Sequence, residues 1–161
     1  MTTSTNHSSA QNSNDAGLNL NSLISATLIE KASEAKVTEV NVRAMRDFSR
    51  AFKNAPEAKW FKTDKGYFAS FSENGKNTKI VYDSKGQRTY SIISYPESKL
   101  NRQVRSRVKS VYFDATIIGV HQFEFVNKTI HVIKMLDQDA TPMTLAVTDE
   151  QIDDITTRDK K

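Results

Sequence analysis

The sequence predicts an α+β fold built from two tandem helix-plus-antiparallel-sheet repeats, with the helices packed on one face of the sheet. Three observations carry this reading. Apolar residues recur at helical spacing in two places, about sixty residues apart. Strands of alternating apolar and polar side chains follow each of them. Turn dipeptides rich in Asn, Asp and Gly separate those strands at regular intervals. Helices segregated over an antiparallel sheet mean α+β rather than α/β.

The first helix is read from Val42, Met45, Phe48 and Phe52, which trace one face, while Arg43, Arg46, Asp47 and Arg50 take the other. Asn41 suits the N-cap. Asn54 and Pro56 end the helix, because proline disfavours a helical residue before it. Four strands follow. Ala58, Trp60 and Lys62 alternate with Lys59, Phe61 and Thr63. Tyr67, Ala69 and Phe71 then alternate with Phe68, Ser70 and Ser72. Asn74-Gly75 is a hairpin signal, since both central positions of a type I′ turn require positive φ. Thr78, Ile80 and Tyr82 make the third strand, Ser84-Lys85-Gly86 turns the chain, and a fourth runs from about Arg88 to Ser94.

The pattern then restarts. Pro96 opens a second helix whose apolar face is Leu100, Val104, Val108 and Val111, carried to Tyr112. Strands follow at about Thr116–Val126, Lys128–Leu136 and Met143–Val147. The tail from Thr148 is polar, with Ile152 and Ile155 able to pack one last helical turn. The domain boundaries implied are a disordered or loosely structured segment at 1–37, an ordered domain at 38–150 (repeats 38–95 and 96–150), and a polar tail at 151–161. Residues 1–16 are dominated by Ser, Thr, Asn and Gln with no large apolar side chain after Met1, too polar to offset chain entropy. Residues 18–29, LNLNSLISATLI, are mildly apolar.

Composition bounds the function classes. The chain has 161 residues, enough for one domain or two small halves sharing a sheet. It has no Cys, which excludes a disulfide scaffold, a thiolate metal site and a cysteine nucleophile. No apolar run approaches the ~20 residues of a membrane span. The N-terminus lacks the basic and apolar regions of a signal peptide, which leaves either a cytoplasmic protein or one whose leader has been removed. The net charge is +4, and residues 39–147 hold 18 basic and 11 acidic side chains. That balance favours acidic partners and says nothing about fold.

No motif specifies catalysis. There is no Gly-x-Ser-x-Gly elbow, no phosphate loop and no dinucleotide fingerprint. His121 and His131, with Glu124 or Asp137, would be a minimal zinc constellation; two ordinary strand histidines is the preferred reading, and no metal or cofactor is expected. Asp137/Asp139 and Asp153/Asp154 read as a solvated turn and tail rather than a calcium loop. In the second helix Arg102, Arg105 and Lys109 share an exposed face that would meet phosphates or an acidic partner. No aromatic lies among them to stack a base, so nucleic acid is disfavoured. Trp60, Tyr67, Tyr82 and Tyr90 are the other binding candidates, as rings on a sheet with one face left open by the helices. A lone Trp is usually buried, which leans Trp60 towards the core and leaves Phe61, Phe68, Val81 and Tyr90 on the opposite face.

The run Ala58-Lys-Trp60-Phe-Lys, then Gly66-Tyr67-Phe-Ala-Ser-Phe71, Asn74-Gly75-Lys76 and Val81-Tyr82-Asp83-Ser-Lys-Gly86 is similar to PepSY-like domains, also described as β-lactamase-inhibitor-protein-like (BLIP-like) domains. The resemblance spans about residues 40–150. It implies a helix followed by a four-strand sheet, often in tandem, in small periplasmic or secreted bacterial proteins without established activity, some of which inhibit enzymes. The expected function is therefore a non-enzymatic envelope or secreted binding protein. It would act on a protein or small ligand through an open sheet face and hairpin loops at 63–66, 74–76 and 84–86. The alternatives are an inhibitor or regulator of an extracytoplasmic hydrolase, and a binder of nucleic acid or acidic protein through the basic helix 97–112.

Overall fold

The computed structural model describes residues 32–156. The expectations for 1–31 and 157–161 lie outside the described residues. Within them the chain forms one antiparallel sheet of nine strands whose spatial order is their sequence order. The strands are β1 (Ser33–Glu34), β2 (Lys59–Thr63), β3 (Gly66–Glu73), β4 (Lys76–Asp83), β5 (Arg88–Tyr95), β6 (Thr116–Glu124), β7 (Thr129–Leu136), β8 (Pro142–Val147) and β9 (Ile152–Asp154). Two ten-residue helices, α1 (Val42–Ala51) and α2 (Arg102–Val111), lie in the two long connections, each preceded by a single 3-10 turn, at Val37–Glu39 and Glu97–Lys99.

This corrects the expected fold class. The molecule is mostly sheet, and the strands do not divide into two helix-plus-sheet units. The reason is a ladder that periodicity along the chain cannot reveal. Ser91–Tyr95 of β5 pairs with Val120–Glu124 of β6, so the sheet runs on without a seam.

Both helices pack on the same face. Under α1 lie Trp60, Ala69, Ile80 and Tyr82, met by Ala44, Met45, Phe48 and Phe52. Phe48 stands edge-on to Trp60, with ring centroids 5.4 Å apart. Under α2 lie Tyr95, Val120, Ile133, Met135 and Leu145, met by Val104, Val108 and Tyr112. Each large apolar side chain so buried contributes roughly 1.5–3 kcal/mol. The cores also differ from expectation at the helix ends. Val42 and Val111 are exposed rather than core, and Ala44 takes the buried position in α1.

Helix starts are set by asparagine. Asn41 Oδ1 accepts from the Arg43 N–H at 2.8 Å, and Asn101 Oδ1 from the N–H groups of Gln103 and Val104. Each side chain satisfies donors that the first turn leaves free. So Pro96 does not open α2; it precedes the 3-10 turn, and buried Leu100 is extended. The tail is corrected too: Ile152–Asp154 is a strand on β8, not a helical turn.

The turns follow local chemistry. Asn74 and Gly75 have φ of 52° and 76°, the left-handed pair of a type I′ turn. In the β4–β5 hairpin, Asp83 Oδ1 accepts from the Lys85 and Gln87 N–H groups. Gly86 there has φ 81° and sits against the start of α1, where a Cβ would lie 2.5 Å from Asn41 Oδ1 and 2.9 Å from the Ala44 nitrogen. At Gly75 a Cβ would meet only the flexible end of Lys99, at 3.4 Å.

Gly75→Ala and Gly86→Ala therefore separate strain from crowding. Positive φ alone should cost Gly75→Ala about 1 kcal/mol, and Gly86→Ala should lose at least about twice that, because the hairpin must part from the helix N-terminus. Urea unfolding of both variants reads the difference. Equal losses would remove the Gly86–α1 contact as a stabilising feature.

Candidate binding face

Successive strand residues point to opposite sides, so register alone sorts the side chains. On the face away from both helices a row crosses the sheet beside the hairpin ends: Phe61 opposite Phe68, Phe68 opposite Val81, Val81 opposite Tyr90. Phe61 and Phe68 stack with centroids 4.8 Å apart, and Tyr90 meets Phe125 at 5.6 Å. Behind this row lies a second apolar group of Ile92, Phe123, Ile130, Val132 and Ala146, all buried. The row ends at the β6–β7 hairpin, where Val126 is 91% exposed. The hairpin turns at 63–66 and 84–86 sit at this same end of the sheet, and the turn at 74–76 sits at the other.

Polar groups border the apolar ones. Ser94 Oγ and His121 Nδ1 are 2.8 Å apart. Lys79 reaches over the Phe68 ring at 5.5 Å, and burial pulls its ammonium below the ordinary lysine range. No ion pair to Lys79 is found among the described residues, whose only two are Arg88–Asp47 and Arg105–Glu97. The His121 imidazole is held below its ordinary value of 6.5, first by burial and then by the charges of Lys134 and Lys79. Burial also lowers His131, against the opposing pull of Asp149 and Glu124.

The residues singled out from sequence scatter over the molecule. Trp60, Tyr67 and Tyr82 lie on the helix-packed face, and Tyr82 is 1% exposed with its hydroxyl donating to Asp47 at 2.9 Å. Of the four aromatic candidates, only Tyr90 stands on the face away from α1 and α2. Arg102 is exposed on α2. Arg105 is held by Glu97 at 2.9 Å, and Lys109 donates to the Ala115 carbonyl. These contacts tie up two of the three cations in the expected stripe. His121 and His131 are on adjacent strands but opposite faces, since His121 pairs with Val132 and His131 with Gln122, so they cannot share a metal. Among the described residues no group of three metal-ligating side chains converges. Sequence reasoning missed Phe123, Phe125 and Val126. Their signal is the run Phe123-Glu-Phe125-Val126, which puts two aromatic side chains on one strand face next to an apolar hairpin tip.

No family model matches this chain, and no curated protein matches it. Its fold is shared with solved structures. A DUF2874 family protein from Bacteroides ovatus matches with TM-score 0.62 and 19% identity over 72% of this chain and 88% of that one. A BLIP-like protein from Bacteroides fragilis matches with TM-score 0.60 and 15% identity over 76% and 91%. A proposed periplasmic protein from Bacteroides eggerthii matches with TM-score 0.59 and 14% identity over 73% and 90%. At these identities the likeness is one of fold. It supports the BLIP-like resemblance and does not extend to PepSY domains. Among the described residues no helix is long and apolar enough to cross a membrane.

Two outcomes follow from this placement. Trp60→Ala should destabilise the fold by about 3–5 kcal/mol, the cost of emptying a large core site, as read by urea unfolding. A loss below about 1 kcal/mol would contradict its place under α1. Stability should also fall as pH drops from about 7 to 5.5. Both histidines bind protons less readily folded than unfolded, so stability present above the unfolded value of 6.5 is lost below it. The double variant His121→Asn/His131→Asn should flatten that slope, and an unchanged slope would contradict the assignment.

Proposed function

We propose that the chain is a non-enzymatic binding protein of the bacterial envelope or exterior. It engages a protein partner with the aromatic rim of the face opposite α1 and α2. The observation that carries this reading is the row Phe61, Val81, Tyr90 and Phe125, half-buried and unroofed by either helix, ending at the exposed Val126. Aromatic anchors such as Tyr90 are among the groups that dominate protein interfaces. A broad face also suits a protein surface better than a small ligand, which prefers a concave pocket. The envelope setting is supported by the fold shared with a proposed periplasmic protein from Bacteroides eggerthii.

A second reading, inhibition of an extracytoplasmic hydrolase, is supported by the fold shared with a BLIP-like protein. It uses the same rim and names the partner more narrowly. Binding of nucleic acid through α2 has less support, because Arg105 and Lys109 are engaged within the chain.

The test compares three full-length chains immobilised against envelope and cytosolic extracts at low and high salt. These are the unaltered protein, Val126→Asp, and Arg102→Glu/Arg105→Glu/Lys109→Glu. The expected result is one envelope protein retained at high salt by the first and third and lost by Val126→Asp. Retention that survives Val126→Asp but fails in the helix variant and at high salt would overturn the rim and favour phosphate or acidic contacts.

A further inference from the structure

We propose that the face opposite α1 and α2 holds an oxyanion cradle over β5 and β6, towards the end of the sheet away from the aromatic rim, and that it takes a carboxylate of the protein partner. A polar row crosses four strands there. Ser72 is opposite Asn77, Asn77 opposite Ser94, and Ser94 opposite His121. The row is bonded in pairs. Asn77 Nδ2 donates to Ser72 Oγ at 3.2 Å, and Ser94 Oγ lies 2.8 Å from His121 Nδ1. The second ring nitrogen, His121 Nε2, has no hydrogen bond to any described residue. An anion there selects the ring form whose Nε2 carries the proton, with Ser94 donating to Nδ1 or, once the imidazole is charged, accepting from it.

Two lysines flank the row. Lys79 follows Asn77 by two residues on β4, and Lys134 follows Val132, the partner of His121, by two residues on β7. Both therefore stand on the same face as His121. Their charges add to burial in holding its imidazole below 6.5. Among the described residues neither lysine is in an ion pair. Lys59, opposite Ser70, is a further cation on this face. Its carboxylates lie at the margins: Glu34 opposite Phe61 on β1, Asp83 opposite Gly66 beside the β4–β5 turn, and Asp153 opposite Ala146 on β9. Asp83 is occupied by the N–H groups of Lys85 and Gln87, and Asp153 accepts from Gln151. Cations gathered without a carboxylate among them disfavour one another, and a bound anion removes that cost.

Gly119 supplies the room. It is two residues before His121 and opposite Lys134, so all three share the face. No described atom lies within 4 Å of where its Cβ would be. Glycine weakens a strand interior and often marks a place where another molecule comes close. The strand irregularity between Ile117 and Gly119 is no reason for it, because Gly119 has no positive φ. Lys79 and Lys134 are three strand spacings apart, about 14 Å at ~4.8 Å each, so two stems leaning inwards meet over β5 and β6. Lys79 now rests over the Phe68 ring, 5.5 Å from its centroid, and swings from there. Charge-assisted bonds from two ammonium groups and an imidazole N–H suit one carboxylate.

The partner as source of that carboxylate rests on the proposed function. Tyr90 and Ser94 are four residues apart on β5, about 14 Å at ~3.4 Å each, so one protein surface spans rim and cradle.

The test follows the His121 and His131 ring protons of the full chain by NMR as pH is lowered. It compares sodium formate, sodium sulfate and sodium chloride at one ionic strength. Formate stays ionised while histidine titrates. A bound carboxylate favours the charged imidazole, so formate should raise the His121 midpoint saturably by about 0.5 pH unit, a roughly threefold gain in proton affinity. His131, on the other face beside Asp149 and Glu124, should not move. Gly119→Ile fills the space, keeps every charge, and should abolish the rise with far-UV circular dichroism unchanged. Lys79→Gln/Lys134→Gln should raise the midpoint in chloride and remove the response to formate. No rise at His121, an equal rise at His131, or a rise that survives Gly119→Ile would overturn the cradle. A response to sulfate alone would overturn a carboxylate as its ligand. In the extract comparison Gly119→Ile should retain less of the envelope protein, and unchanged retention would overturn the partner as the source. The His121 midpoint does not depend on the Val126→Asp result, so cradle and rim fail separately.

Discussion

The ladder between β5 and β6 is the contact on which the rest of the molecule depends. Five residue pairs, from Ser91–Glu124 to Tyr95–Val120, join strands separated in sequence by a whole helical connection. Closing that loop costs entropy, and the burial of Leu100 and Val108 against Tyr95 and Val120 offsets it. Without the pairing there would be two small sheets, each with a long open edge ready to pair with another chain. With it, the edges of the described sheet are the two-residue β1 and the three-residue β9, too short to template aggregation.

The same ladder decides where the chemistry falls. It aligns the strands of both halves so that α1 and α2 share one face, and it carries the Phe61–Phe68–Val81–Tyr90 row on to Phe125 and Val126. Polar side chains inside the sheet are satisfied locally. Tyr95 donates to Gln122 at 2.6 Å, and Gln122 donates on to Glu124. Tyr82 donates to Asp47, which Arg88 also holds at 3.1 Å. Burial is the first cause that raises both phenols, Tyr95 to about 12. These groups fasten the helix-packed side, while on the other side the Ser94–His121 contact and Lys79 border the apolar group.

Much of the local structure was legible in the sequence. Asn74-Gly75 names its turn, Asn41 the start of α1, and the alternation through Tyr67–Phe71 and Thr78–Tyr82 the first strands, because these signals act over a few residues. The placing of Phe61, Phe68, Val81 and Tyr90 opposite Trp60 also came from strand parity. What was not legible is long-range. Alternation cannot say that β5 pairs with β6, so one sheet read as two repeats. The Pro96 signal was outweighed by Asn101, whose side chain caps two donors at once. Burial on both faces does leave a trace, in the adjacent apolar pairs Val132-Ile133 and Leu145-Ala146, which break strict alternation. Such pairs look the same in a buried helix segment, so the trace acquires meaning only once the register is known. The candidate site was least legible, because Trp60 and Tyr82 are as suitable for a core as for an interface and only the side they point to separates the two.

Hydrogen exchange across the whole chain tests the single continuous sheet most directly. If the β5–β6 ladder holds both halves in one cooperative unit, the amides of 91–95 and 120–124 exchange as slowly as those of β4 and β7 and share their denaturant dependence. Faster exchange at β5–β6 than on either side, with β2–β4 and β7–β8 opening independently, would mean two units in loose contact and would contradict the account.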